Sequence, residues 1–162
     1  MTVEQYLHTS FEVEPDYVGG ELVERHVGSL PHAKAKGRML ELLGGLKGFS
    51  WRLYMSITMI MSPTRCRVAD LAAFANEPLP GKQYPDEPGE LVVEVVEQED
   101  SLAELMQKLA EYHTWGVKHV WSVDPWTRKL FIYDNSGYHE VPVFELPEFG
   151  ARISPAELFT QP

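Results

Sequence analysis

At 162 residues the chain has room for one domain and little for a second. Fourteen basic residues against 24 acidic ones leave a net charge of −10. That sign argues against tight non-specific binding to nucleic acid, which basic surfaces favour, but not against an enzyme with a local cationic strip. Apolar residues make up 44%, enough for a full core, and no apolar run approaches the ~20 residues of a membrane helix.

The N-terminus, Met1 to Ser10, carries Glu4 and no basic n-region, unlike a secretory leader. Residues 2–9 read as a short amphipathic helix with Val3, Tyr6 and Leu7 on one side. Residues 17–27 read as a hairpin or bent strand turning at Gly19-Gly20. Pro31 and His32 open a helix to about Leu46, with Ala35, Met39, Leu42 and Leu46 on one face. Trp51, Leu53, Met55, Ile57, Met59 and Met61 mark a strand over 51–61, and Pro63-Thr64-Arg65 turns into a second apolar strand ending at Phe74. Residues 76–90, with Pro78, Pro80, Gly81, Pro85, Pro88 and Gly89, form a long irregular loop.

The stretch Leu91-Val92-Val93-Glu94-Val95-Val96 reads as a strand buried on both faces. A polar break follows at Glu97-Gln98-Glu99-Asp100. Ser101-Leu102-Ala103-Glu104 matches a capping box, starting a helix that runs to Trp115 and stops at Gly116. With the strand His119–Val123 this makes a βαβ unit. Lys129–Tyr133 and Tyr138–Val143 form a hairpin, and Ser154–Phe159 a capped terminal turn. The class is α/β (α+β), a single domain over 1–162.

Three charged residues sit badly in these apolar elements. Glu94 lies mid-strand, and a buried carboxylate is unfavourable unless something pairs with it. Asp70 lies inside Arg67-Val68-Ala69-Asp70-Leu71-Ala72-Ala73-Phe74. Lys108 shares a helix face with Leu105 and Tyr112, in or beside the stripe that faces the sheet. A divalent cation of the Mg²⁺ or Mn²⁺ type would join the two acids; two separate ion pairs, with Arg67 and Lys108 as partners, would also explain them. His32 is a site residue or a plain helix cap. Lys34, Lys36 and Arg38, and Arg65 with Arg67, read first as solvated basic strips. Trp115, Trp121, Trp126, Phe131 and Tyr133 fall at core or hairpin spacing and read as packing. Cys66, the only cysteine, allows no internal disulfide, fits a reducing cytoplasm and has no evident activating partner. No phosphate-binding glycine loop, HExxH or Gly-x-Ser-x-Gly elbow is present.

The ordered set resembles the bacterial Uma-type proteins, labelled restriction endonucleases, of the PD-(D/E)XK nuclease-like superfamily. The residues that carry it are Met1–Leu7, Gly20-Glu21-Leu22-Val23-Glu24, Ser29-x-x-His32, Arg67-Val68-Ala69-Asp70, Leu91–Val95, Lys108-x-x-x-Tyr112, Gly116-Val117 and Trp121–Pro125. The resemblance implies a restriction-endonuclease-like central mixed sheet flanked by helices. It implies a metal-dependent phosphodiesterase site with Asp70 and Glu94 as ligands of Mg²⁺ or Mn²⁺, and Lys108 as the catalytic lysine. Glu21 would be a further acid on the rim or inner shell, and His32 and Tyr112 accessories. The lysine found two residues after the second acid in most of the superfamily is Val96 here; the family pattern moves it to the following helix. Ala69 stands where a proline is usual, and Glu97-Gln98 replaces Ser-Pro.

Two functions follow. One is an endonuclease acting on nucleic acid, DNA first. The other is a catalytically inactive nuclease-fold protein serving as a binding or partner module, which the acidic Glu97–Asp100 segment favours. A homodimer through the 128–143 hairpin is a third, weaker idea.

Overall fold

The structure, a computed structural model, describes residues 1–26, 28–77 and 81–159. Its N-terminal helix α1 (Val3–Leu7) is capped reciprocally by Thr2 and Gln5 and buries Tyr6. Strands β1 (Asp16–Val18) and β2 (Glu21–Val23) form the expected hairpin. Gly19 and Gly20 turn at φ +60° and +94°, the positive-φ pair that a two-residue turn of this hand requires. The pairing stops at Val23; Val27, at the end of the expected hairpin, lies outside the described residues, as do Pro78 and Pro80 of the long loop.

Helix α2 (Leu30–Gly44) begins at Ser29, whose hydroxyl accepts the His32 N–H, and Pro31 occupies its first turn. It buries His32, Ala35, Met39 and Leu43. Strands β3 (Arg52–Ser62) and β4 (Arg65–Phe74) pair along nearly their whole length. The described part of the loop that follows holds no helix or strand. Strand β5 (Leu91–Val95), buried at every residue, leads through α3 (Leu102–Trp115) to β6 (His119–Asp124). β5 and β6 are parallel, so the predicted βαβ unit is present. Ser101 caps α3, and Gly116 at φ +118° ends it.

Strands β7 (Lys129–Asp134) and β8 (Gly137–Val141) close the sheet, whose order is β2-β1-β4-β5-β6-β7-β8 with β3 on the other edge of β4. A second small sheet was not anticipated: β9 (Phe144–Leu146) and β10 (Ala151–Ile153), joined through Pro147–Phe149. A short α4 (Pro155–Leu158) with its own capping box follows. Among the described residues, no helix is long and apolar enough to cross a membrane.

The sheet is the middle of three layers. On one face Leu91, Val93, Val95, Leu71 and Ala73 pack with α2, α4 and the small sheet. On the other, Val92, Ala72 and Phe74 pack with Leu109 and Tyr112 of α3. Alternation along β5 therefore turns Glu94 toward α3. In β4 the alternation breaks. Ala69 belongs to the α3 side together with Ala72 and Phe74, while Leu71 belongs to the α2 side. The break falls at Asp70, where no β3 partner pairs and Ser56 sits at φ +49°.

Candidate active site

The site grows out of a split in the sheet. β1 pairs with β4 only at Cys66 and Arg65, and β5 only from Leu71 to Ala73. Between these contacts one edge of β4 has no strand beside it among the described residues. Side chains take the place of the missing strand. Asp16 Oδ1 accepts the Val68 N–H at 2.7 Å, and Lys108 Nζ donates to the Val68 carbonyl at 2.9 Å. On the β5 side, Asp70 Oδ2 accepts the Val95 N–H at 2.8 Å. Backbone groups that burial would otherwise leave unpaired are thus satisfied by the charged residues of the site.

These contacts bring Asp70, Glu94 and Lys108 to one cavity of about 80 Å³, also lined by Asp16, Arg25 and His32. Lys108 Nζ lies 3.2 Å from Glu94 Oε1 and 3.2 Å from Asp16 Oδ2. Tyr112 OH donates to the same Glu94 oxygen at 2.9 Å. Asp70 is held by Arg25 at 3.1 Å and His32 at 3.4 Å. Arg67, also on the cavity wall, pairs with Asp16 at 3.1 Å and Glu111 at 2.7 Å. Ser29 donates to Glu97, whose carboxylate faces the other nitrogen of His32 at 3.9 Å.

The electrostatics follow from burial and these partners. Burial pushes the Glu94 carboxyl up to about 7; Lys108 pulls it back and Asp70 pushes it up again. For Asp70, burial is outweighed by the His32 hydrogen bond and charge, by Lys108 and by the Val95 N–H, so its carboxyl lies well below the usual range. Asp16 is also lowered: burial is overcome by Lys108, Arg67 and the Val68 N–H. Burial disfavours charge on Lys108, but Glu94 and Asp16 more than compensate and raise it. His32 is raised in the same way against its burial, by Asp70 and then Glu97. Lys108 is therefore a fixed cation, and Glu94 is the group here whose charge is poised near neutrality.

Of the residues anticipated from sequence, Asp70, Glu94, Lys108, His32 and Tyr112 come together. Glu21 does not: it stands exposed at the start of β2, outside the cavity lining. The carboxylate that hairpin supplies is Asp16, which sequence reasoning missed; its one signal is an acid heading a short apolar strand. Arg67 is not part of a solvated strip but buried in the site, and the misfit argument that flagged Asp70 applies equally to it. Arg25 had no signal. Cys66 is buried, and burial, with Asp16 and Glu14, pushes its thiol up to about 11, which suits an inert side chain.

Among the described residues, no group of three or more His, Cys, Asp or Glu side chains is disposed to hold a metal ion. Mg²⁺, however, commonly takes one or two carboxylates and completes its shell with water and phosphate oxygens. Asp70 and Glu94 provide such a pair. Burial is the largest cause that holds the Glu94 carboxyl up to about 7, and a cation beside it would favour its charged form.

Comparison with known proteins addresses the family. No curated protein matches the chain. A solved structure described as a putative nuclease belonging to DUF820 from Anabaena variabilis superposes with a TM-score of 0.85. The superposition covers 99% of this chain and 98% of that one, at 14% identity, and so shows a shared fold. Residues 3–160 match the Uma2 family, described as "Putative restriction endonuclease". The chain belongs to the Uma2 family.

Proposed function

We propose that the chain is a metal-dependent endonuclease hydrolysing phosphodiester bonds of nucleic acid, DNA first. One observation carries this reading: two core carboxylates and a charged lysine converge on a small polar cavity where the sheet splits. Asp70 and Glu94 would hold Mg²⁺ or Mn²⁺, which supplies Lewis-acid charge for the scissile phosphate and lowers the pKa of a bound water. Lys108, a permanent cation, orients the attacking water or stabilises developing negative charge; it does not act as a base. Tyr112 fixes the Glu94 carboxylate through its hydroxyl. His32 holds Asp70 in place, and Arg25, on the same carboxylate, is the cation available to a phosphate oxygen. The exposed Glu21 could act only from outside the cavity. In a homodimer, a second copy would pair on the open edge of β8; a monomer by sedimentation at high concentration removes that part.

A second reading, a binding protein with a retired site, is favoured by the Arg25 and His32 contacts that already neutralise Asp70. The two readings separate on one experiment. Supercoiled plasmid and single-stranded DNA are incubated with Mg²⁺ or Mn²⁺ and wild-type or Glu94→Ala protein. The nuclease reading expects cleavage by the wild type and background by the variant. Cleavage at full rate by Glu94→Ala sinks the site assignment. Micromolar Mn²⁺ binding that disappears in Asp70→Ala counts against the retired site.

A further inference from the structure

Beside the catalytic cavity lies a second recess of about 350 Å³, lined by Trp126, Arg25, His26, Glu97, Gln98 and Glu99 among others. Arg25 and His26 line both spaces, so the two adjoin. Trp126 does not pack as its spacing predicts. It is 41% exposed and stands outside the three hydrophobic clusters. Nor is it on a loose loop: Asp124 Oδ1 accepts the N–H groups of Trp126 at 2.9 Å and Thr127 at 3.2 Å, which fixes the turn between β6 and β7.

The recess combines an aromatic face with hydrogen-bonding edges. An indole of this exposure is a stacking surface for a flat ring. Gln98 and Glu99, which line the same recess, are exposed, and Glu97 is already bound by Ser29. The Glu99 carboxylate, with the Gln98 amide beside it in sequence, repels a phosphate but accepts hydrogen bonds from an exocyclic amine, as Glu and Asp do from cytosine. The volume is too large for an ion and suits a base with its sugar. In a duplex the pairing edge of a base is occupied, so the base that enters must be unpaired.

Building on the phosphodiesterase reading, we propose that this recess receives one unpaired, amino-bearing nucleobase stacked on Trp126, next to the phosphate held at the Arg25 side. Single-stranded nucleic acid is then the preferred substrate class, and Glu97, Gln98 and Glu99, rather than repelling substrate, form part of the base site.

The test is binding without hydrolysis, in EDTA at pH 8. The probes are fluorescently labelled decamers of deoxycytidine, of thymidine and of abasic sugar-phosphate, titrated with wild type, Trp126→Phe and Trp126→Ala. The wild type binds the cytidine decamer more tightly than the thymidine one and both more tightly than the abasic one. Trp126→Ala loses about 5- to 100-fold on cytidine, as for other base–aromatic stacks, and nothing on the abasic strand; Trp126→Phe restores most of the loss. Equal binding of cytidine and abasic strands, equal binding of cytidine and thymidine, or indifference to Trp126→Ala overturns the proposal. Cleavage is scored separately. Trp126-dependent binding with no hydrolysis in any metal keeps the base site and removes the nuclease reading; hydrolysis indifferent to Trp126 does the reverse.

Discussion

Glu94 is a carboxyl buried in the interior of a strand, and that gives it a measurable pH signature. Its carboxyl is raised to about 7 in the fold and returns to ~4.3 when the chain unfolds. The folded state therefore keeps a proton that the unfolded state releases. The stability from that proton is full below ~4.3 and is lost as pH rises through about 7. Relative to Glu94→Gln, the wild type should lose about 2 to 3 kcal/mol of unfolding free energy between pH 5 and pH 8.5, measured by urea denaturation in EDTA. A constant difference across that range would remove the buried-proton argument. Asp16 and Asp70 have the opposite sign. Their lowered values contribute stability present above ~3.9 that disappears as pH falls below it, so acid unfolding should begin there. Asp70, Glu94 and Lys108 were legible in the sequence because each is a charge inside an apolar pattern. Asp16 was not, because its neighbours Glu14 and Pro15 hide the contrast. Arg25 was not, because its role depends on a loop's path across the sheet, which no local pattern encodes.

At the scale of elements, two glycines show where the backbone has no room for a side chain and where it has ample room. Gly89, just before β5, leaves no space for a side chain: a Cβ there would lie 2.6 Å from the Ala73 carbonyl oxygen and 3.0 Å from the Phe74 ring. That carbonyl also accepts the Glu90 N–H at 2.8 Å. Gly89→Ala should destabilise by about 1 to 3 kcal/mol, because strand and ring must shift. Gly37 lies inside α2 with nothing within 4 Å of its virtual Cβ. Gly37→Ala should stabilise by about 0.5 to 1 kcal/mol, since alanine is the better helix former. Opposite movements of the urea midpoint check both; a neutral Gly89→Ala would show that the loop end yields freely. Elements were legible where the pattern was long or punctuated: the valine strand, the Ser101 cap, the Gly116 stop, the Gly19-Gly20 turn. The β9–β10 pair was missed because three-residue strands fall below the length at which alternation shows. Phe144 and Leu146 are buried around exposed Glu145, a pattern too short to separate from loop. The break of alternation at Asp70 was equally hidden, being set by the partner strand at Ser56 rather than by the sequence of β4.

At the scale of the whole molecule, the net charge of −10 sets how a polyanionic substrate approaches. The cations at the site are few and engaged: Lys108 and Arg67 are paired inside, and Arg25 faces Asp70. A basic nuclease is steered to its substrate and loses affinity steeply as salt rises. Here the far field is repulsive and the attraction is local. Raising ionic strength from 0.01 to 0.1 M shortens the screening length from ~30 to ~10 Å. That removes much of the long-range repulsion while leaving contacts inside the cavity nearly untouched. The apparent kcat/KM on single-stranded DNA, at saturating Mg²⁺, should therefore stay flat or rise over this interval. A steep fall would mean that Lys34, Arg38 and Arg128, which line a groove between α2 and the β6–β7 turn, form a phosphate track strong enough to outweigh the overall charge. Charge-neutralising substitution of those three would then flatten the salt dependence. Under the repulsive-field expectation the same triple variant should change it little, so the two outcomes are separated by one titration and one variant.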